Sequence, residues 1–158
     1  MEKLPKIEEK DIINGYEQAL KSPRRRHPKI LHKTGDYNNK VLNFLLQGTY
    51  MQPHKHVGRE KIEKMTLLEG SFELIYFDDL GEIINREFLS VGNLEYIEVP
   101  SNTWHTYVMK EAKVLVYETM EGVYNPKTWK NMAEWAPTEG SPKAKLYLEK
   151  LTNLECGQ

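Results

Sequence analysis

Short strand-like segments separated by turn residues fill the middle of the chain, and this alternation restricts the fold more than any other feature. Between residues 41 and 120, β-branched, aromatic and other apolar residues recur in short runs, with glycine, proline and asparagine between the runs. The predicted strands are 41–50, 63–68, 71–77, 82–89, 96–99, 103–109 and 113–120. Strands of this length at this spacing predict an all-β barrel or sandwich.

Helical patterns flank the β segment on both sides. Apolar residues recur at helical spacing over 7–20, and the pattern stops near Pro23, because proline disfavours helix at the residue before it. A closing helix is predicted over 141–154, with Ser141 as N-cap and Pro142 at the first helical position. We therefore expect one domain over 1–158. Its parts are a helical arm at about 7–21, a barrel at about 29–121, and a C-terminal wrap and helix at 122–154.

Composition and charge exclude several classes of function. The 158 residues carry a formal net charge of -1, whereas nucleic-acid binding usually needs a basic face. No apolar run approaches the length of a membrane span, and the charged N-terminus lacks the apolar core of a signal peptide. A single cysteine cannot form an internal disulfide. These features predict a cytoplasmic protein that binds neither nucleic acid nor membrane.

Three histidines and a glutamate form a candidate metal site. His54 and His56 are two residues apart, so on a strand both imidazoles face the same side. Glu63 follows on the next strand-like segment, and His105 comes after a later turn. Three imidazoles with one carboxylate suit Mn, Fe, Co, Ni or Zn. Glu60 also fits the spacing from His56, so the residues alone leave two candidates for the carboxylate.

The same residues resemble the two sequence motifs of the cupin superfamily. The resemblance to the first motif rests on His54, His56, Glu63 and Gly70. The resemblance to the second motif rests on Gly92, Pro100, Asn102 and His105. Asn102 stands where the second motif usually has glycine, and asparagine tolerates the positive φ that such a turn needs. The resemblance implies a single cupin barrel, also called a double-stranded β-helix or jelly roll. It also implies that His54, His56, Glu63 and His105 bind one divalent transition metal (Zn, Fe, Mn or Ni). Glu63 is favoured over Glu60, because six residues then separate it from Gly70.

Segments outside the motifs resemble the WbuC family of cupin-fold metalloproteins. These segments are 22–26 with His32, 48–50, 53–56, 121–126 and 135–140, and the resemblance extends from about residue 7 to 151. Members of that family look like cytoplasmic bacterial proteins, and several are associated with O-antigen gene clusters. The resemblance implies fold and metal, but it assigns no reaction.

An arginine run before the barrel supplies candidate ligand-binding residues. In an extended segment Arg24 and Arg26 share a face and Arg25 opposes them. Arg24 and Arg26 are predicted to reach over the barrel mouth and bind a phosphate or carboxylate; the alternative is a solvated basic loop. His32 is predicted to line the same pocket or move a proton there, and the alternative is a hydrogen-bonded packing role.

Three functional hypotheses follow from these residues. The first is a metal-dependent isomerase or epimerase acting on a small polar or phosphorylated sugar in surface polysaccharide synthesis. The second is an iron-dependent dioxygenase on the same barrel, since the ligand set does not fix the metal. The third is a non-enzymatic module that binds a metal and a small polar or anionic ligand. A homodimer is expected, because open edge strands favour pairing.

Overall fold

Two five-stranded antiparallel sheets face each other across a common core, with one helix at each end of the chain. The computed structural model describes residues 3–153. Its elements are α1 (Glu9–Lys21), β1 (Arg26–Ile30), β2 (Asn38–Leu46), β3 (His54–Lys55), β4 (Glu63–Glu69), β5 (Ser71–Phe77), β6 (Ile83–Ser90), β7 (Tyr96–Val99), β8 (Trp104–Met109), β9 (Lys113–Glu121), β10 (Asn131–Met132) and α2 (Ala144–Asn153). The prediction of an all-β barrel with helices at both ends is confirmed.

The strand order places the two sheets so that their inner faces enclose the core. One sheet has the order β1-β2-β9-β4-β7, and the other has the order β10-β3-β8-β5-β6. Phe72, Leu74, Met65 and Val116 belong to the main apolar cluster between the sheets, and all four are fully buried. Burial of such side chains contributes about 1.5–3 kcal/mol each, so this cluster holds the sheets together. At one end of the barrel, polar side chains replace the apolar ones, and the candidate site lies there.

Two features of the strands differ from the prediction. The predicted strand 41–50 is shifted: β2 begins at Asn38 and ends at Leu46. It ends there because Gly48 takes a positive φ of 95° and the Thr49 amide donates to the Leu46 carbonyl, which turns the chain. Strand β1, over Arg26–Ile30, was not predicted; it pairs with β2 along its whole length.

Each helix packs on one outer face of the barrel. In α1, Tyr16 and Ala19 are buried against Phe44, and a Cβ at Gly15 would overlap the Phe44 ring, so only glycine fits. In α2, Leu151 is buried in the cluster that covers the opposite sheet. Within residues 3–153, no helix has both the length and the apolar character needed to cross a membrane.

The predicted start of the closing helix was wrong by three residues. The helix begins at Ala144, whose amide donates to the Ser141 carbonyl, and the Ser141 hydroxyl has no partner among the described residues. Ser141 therefore closes a turn before the helix and is not its N-cap. The predicted end of this helix at Leu154, and the single Cys156, lie outside the described residues.

Strand β6 forms one edge of its sheet. Strand β6 pairs only with β5 among the described strands, and Ile84 and Phe88 on it are more than half exposed. Long apolar edge strands are the type that pairs with other chains. The homodimer stays a prediction.

Candidate metal centre

Four buried side chains converge at one end of the barrel. His54 lies on β3 directly opposite His105 on β8, His56 follows β3, and Glu63 begins β4. One potential ligand atom from each residue lies within 4.8 Å of those of the other three. Glu60, the alternative carboxylate, is exposed on the preceding loop. The structure therefore brings Glu63, and not Glu60, to the three histidines.

Local backbone contacts position these strands. The turn before β8 contains Asn102, which has a positive φ of 57°. Its amide donates a hydrogen bond of 2.6 Å to the carbonyl of His56. This bond ties the turn carrying His105 to the segment carrying His56. The positive φ that the sequence predicts for Asn102 is thus part of how the site is assembled.

Each of the three imidazoles is anchored through the same ring nitrogen. The Nδ1 atoms of His54, His56 and His105 lie 2.9, 2.8 and 2.8 Å from the backbone carbonyls of Gln52, Trp129 and Thr103. A carbonyl oxygen can only accept, so Nδ1 carries the proton in each ring. In His56 and His105, Nε2 donates to Glu63 when it carries a proton, and loss of that proton leaves a neutral ring whose Nε2 lone pair is able to bind a metal. Anchoring of this kind fixes the tautomer and orientation of metal-binding histidines.

Glu63 supplies the only carboxylate within this cluster. One of its oxygens lies 3.0 Å from Nε2 of His105 and 3.2 Å from Nε2 of His56. Burial alone would raise the pKa of Glu63, but hydrogen bonds from His105 and His56 outweigh it and hold the pKa well below its usual value. Glu63 is therefore an anion in the folded protein, as a metal ligand must be.

The histidine pKa values differ because their surroundings differ. Burial, followed by the charge of His105, lowers the pKa of His54 well below its usual value. Burial also acts to lower the pKa of His56, but the hydrogen bond with Glu63 and its charge raise the pKa overall. His54 is thus neutral at physiological pH. Buried, correctly oriented nitrogens and an ionised carboxylate oxygen fit a divalent transition metal such as Zn, Fe, Mn or Ni, without selecting among them.

A cavity of about 310 Å³ opens beside the cluster, and its inner wall carries a second carboxyl group. Glu118, on β9, is half-buried and accepts a 2.9 Å hydrogen bond from the Tyr107 hydroxyl and a 2.6 Å bond from the Asn43 amide. Burial, followed by the negative charge of Glu63, raises the pKa of Glu118 to about 8. This carboxyl group is therefore able to hold a proton at neutral pH beside the cavity.

The arginine run lies at the opening of this cavity. Arg24 and Arg26 both line it, whereas Arg25 has a positive φ of 56° and donates instead to the Gln47 carbonyl. Arg24 Nε and Arg26 Nη2 each lie 2.8 Å from a different oxygen of Glu139. Arg26 is buried and also donates to the Thr49 hydroxyl and the Tyr50 carbonyl. Arg24 is half exposed, with Glu139 as its partner.

His32 and Lys130 complete the opening. His32 lines the cavity, and its Nδ1 accepts a 3.0 Å hydrogen bond from the Lys40 amide, which can only donate. Lys130, just before β10, also lines the cavity. Arg24, Arg26, Lys130 and Glu139 are named the mouth cluster below. Sequence reasoning missed Lys130 and Glu139; both lie in C-terminal segments whose pattern gave no sign of a site.

Comparison with known proteins gives a family and a fold. A family model described as "Domain of unknown function (DUF6016)" matches residues 7–89, just over half of the chain. A sequence search of curated proteins finds no match. Three similar crystal structures are described next; all are below 25% identity, so they show the fold alone.

Two of these structures are of CapF. CapF with the inhibitor 3-isopropenyl-tropolone is 21% identical, has a TM-score of 0.55, and aligns with 66% of this chain and 31% of its own. The capsular polysaccharide assembling protein CapF from Staphylococcus aureus is 16% identical, has a TM-score of 0.54, and aligns with 68% of this chain and 34% of its own. This chain therefore spans about a third of the length of CapF.

The third structure names the architecture. It is an uncharacterized conserved protein with a double-stranded β-helix domain from Klebsiella pneumoniae. It is 14% identical with a TM-score of 0.52, and the alignment covers 69% of this chain and 80% of the other. The predicted cupin fold, a double-stranded β-helix, is confirmed.

Proposed function

The chain belongs to the DUF6016 family, described as a domain of unknown function, and from that premise we propose that it is a metal-dependent cupin enzyme. Its ligands for one divalent transition metal are His54, His56, Glu63 and His105. The proposed reaction is an isomerisation or epimerisation of a small polar or phosphorylated sugar, in the synthesis of bacterial surface polysaccharide. Membership of the WbuC family and a cytoplasmic location belong to the same proposal.

The common anchoring of the three imidazoles is the observation that carries the metal assignment. All three Nδ1 atoms face backbone carbonyls at 2.8–2.9 Å, and two of the Nε2 atoms lie within 3.2 Å of the same oxygen of Glu63. A packing role alone does not require three histidines to share one tautomer or to direct their Nε2 atoms toward one point. Such an arrangement, buried and carrying one anion, is what a dication needs.

The cavity residues supply the remaining parts of the proposed reaction. A metal bound by the cluster supplies Lewis acidity towards a carbonyl or hydroxyl oxygen. Glu118 holds or releases a proton at its carboxyl group near neutral pH, and Tyr107 and Asn43 fix its orientation. Isomerisation and epimerisation both need a group that exchanges a proton with carbon or oxygen, and Glu118 is the cavity residue suited to that exchange.

Two observations support the choice of polysaccharide synthesis. The S. aureus protein with a similar fold is described as a capsular polysaccharide assembling protein. The sequence segments outside the motifs resemble the WbuC family, several members of which are associated with O-antigen gene clusters. The cavity volume of about 310 Å³ is at the small end of the range for ligand pockets, in keeping with a small ligand.

Elemental analysis of tag-free protein tests the metal assignment. We expect close to one equivalent of a divalent transition metal in the wild type. His105→Ala and Glu63→Gln should lose most of it, because each removes one of four ligands. Two matched variants serve as controls: Glu60→Gln removes the exposed alternative carboxylate, and His27→Ala removes a histidine outside the cavity lining.

The controls decide between alternative sites. Both control variants should keep the wild-type metal content. Loss of metal in Glu60→Gln with retention in Glu63→Gln would overturn the ligand set. A wild type that holds no metal even after reloading would leave the fold intact and refute metal dependence. The identity of the bound element also separates Lewis-acid chemistry from the iron-dependent alternative.

A further inference from the structure

The mouth cluster contains more positive charge than its own carboxylate neutralises. Arg24, Arg26 and Lys130 are cations, and Glu139 is the anion among them. Glu139 bridges the two arginines, one oxygen to each, and no ion pair or hydrogen bond engages the Lys130 ammonium among residues 3–153. The cluster therefore carries a net charge of about +2 at the cavity opening.

The two arginines have different structural roles. Arg26 donates hydrogen bonds to Glu139, the Thr49 hydroxyl and the Tyr50 carbonyl, and its side chain is 7% exposed. It therefore holds the opening in place, and fewer of its donors than of those of Arg24 remain for a ligand. Arg24 is half exposed, and its guanidinium keeps donors beyond the one that contacts Glu139.

Lys130 differs from Arg26 in its exposure and in its partners. The residue is exposed to solvent, yet its ammonium is close enough to the arginines and to Glu63 for their charges to act on it. Neighbouring side chains that line the cavity reduce the contact of this ammonium with water, and this desolvation, followed by the charge of Arg26, lowers the pKa of Lys130. A cation held among cations without a carboxylate partner is stabilised by any anion that enters the space between them.

The backbone that carries Lys130 is fixed to the candidate metal centre. The carbonyl of Trp129 accepts the bond from His56, and β10, which begins at Asn131, pairs with Lys55 and His54 on β3. Lys130 lies between these two attachments, so its position relative to the cavity is set by the same segment that carries His54 and His56.

We propose that Lys130, assisted by Arg24, binds the phosphate group of the ligand at the cavity opening, while Arg26 and Glu139 position that subsite without binding the ligand. This inference rests on the proposed function and names its substrate class, a phosphate monoester. A dianion matches the net charge of the cluster, whereas a carboxylate would leave one positive charge uncompensated. This division of labour differs from the prediction that Arg24 and Arg26 bind the ligand together.

Calorimetric titration with inorganic phosphate at low ionic strength tests the inference. Wild type should bind phosphate, and Lys130→Met, which keeps the side-chain length without the charge, should bind about tenfold more weakly or worse. Lys130→Arg should restore most of the affinity. Lys127→Met, an exposed lysine of the same segment outside the cavity lining, is the matched control and should bind like wild type.

Two further arms separate this inference from the metal proposal. Acetate should bind wild type more weakly than phosphate does, and tighter acetate binding would overturn the phosphate assignment. The Lys130 effect should persist in His105→Ala, which lacks a proposed metal ligand. If Lys130→Met binds phosphate as wild type does, or wild type binds none, the inference is wrong. If wild type binds phosphate through Lys130 but holds no metal even after reloading, the inference stands and metal dependence fails.

Discussion

The metal cluster and the mouth cluster are both polar groups beside one cavity, but they are built in opposite ways. The four candidate ligands are all buried, and the only anion among them is Glu63. The Nδ1 atom of each histidine faces a backbone carbonyl. Among the described residues, the Nε2 atoms and the Glu63 carboxylate face only one another. The mouth cluster has its own counter-ion in Glu139 and is partly open to water.

This difference determines what each cluster needs to be stable. Buried polar atoms directed at a common point require a partner, and in the metal cluster a dication is the partner that fits. The mouth cluster is stable through its internal ion pairs, because Glu139 neutralises much of the charge that Arg26 brings into the protein. The first cluster should therefore respond to metal, and the second to changes in charge.

Removal of the Glu139 charge should give the largest change in stability. Glu139→Gln leaves Arg26 buried without its carboxylate, and breaking such a pair costs about 3 kcal/mol in the free energy of unfolding. Arg24→Gln is the matched control on the exposed side of the same carboxylate, and it should cost about 1 kcal/mol or less. Urea denaturation measures both. Equal losses would show that Arg26 is no more dependent on Glu139 than Arg24 is.

Metal removal should give the next largest change, at the other cluster. A ligand present at about 100 times its dissociation constant stabilises the folded state by about 2.7 kcal/mol. Treatment with a chelator should therefore lower the thermal midpoint of wild-type protein by several degrees. The same treatment should leave His105→Ala unchanged and should act fully on Glu139→Gln. Equal sensitivity in wild type and His105→Ala would place any metal elsewhere.

The sequence predicted the metal cluster because three of its members are close together in the chain and the fourth, His105, belongs to the second cupin-like motif. His54 and His56 alternate along the chain, and a cupin motif connects them to Glu63. The hairpin of β5 and β6 was equally predictable, since Asp78 and Gly81 form its turn and both strands contain β-branched and aromatic residues. In these cases short sequence motifs are enough to predict the structure, and tertiary contacts only bring the predicted parts together.

The mouth cluster was half predicted, and the missing half depends on contacts between distant segments. Arg24 and Arg26 were placed at the cavity, but their partner Glu139 is more than a hundred residues away in a segment without regular periodicity. Strand β1 was missed for a similar reason. It contains Pro28 and few apolar residues, and its strand conformation is set by pairing with β2 rather than by its own propensity.

A pH series gives the smallest of the three effects, and it tests whether the counter-ion role of Glu139 is electrostatic. Burial acts to raise the pKa of Glu139, but hydrogen bonds from Arg26 and Arg24 lower it overall. A carboxyl group with a lowered pKa stabilises the fold fully above its unfolded pKa of about 4.3, and this contribution is lost as pH falls through the folded value.

The stability difference between wild type and Glu139→Gln should therefore be constant from about pH 6 to 8 and shrink below about pH 4.3. Urea denaturation of both proteins across this range measures the difference, in which contributions common to the two proteins cancel. A difference that stays constant to pH 3 would mean that Glu139 acts through packing, and the contrast in charge between the two clusters would fail.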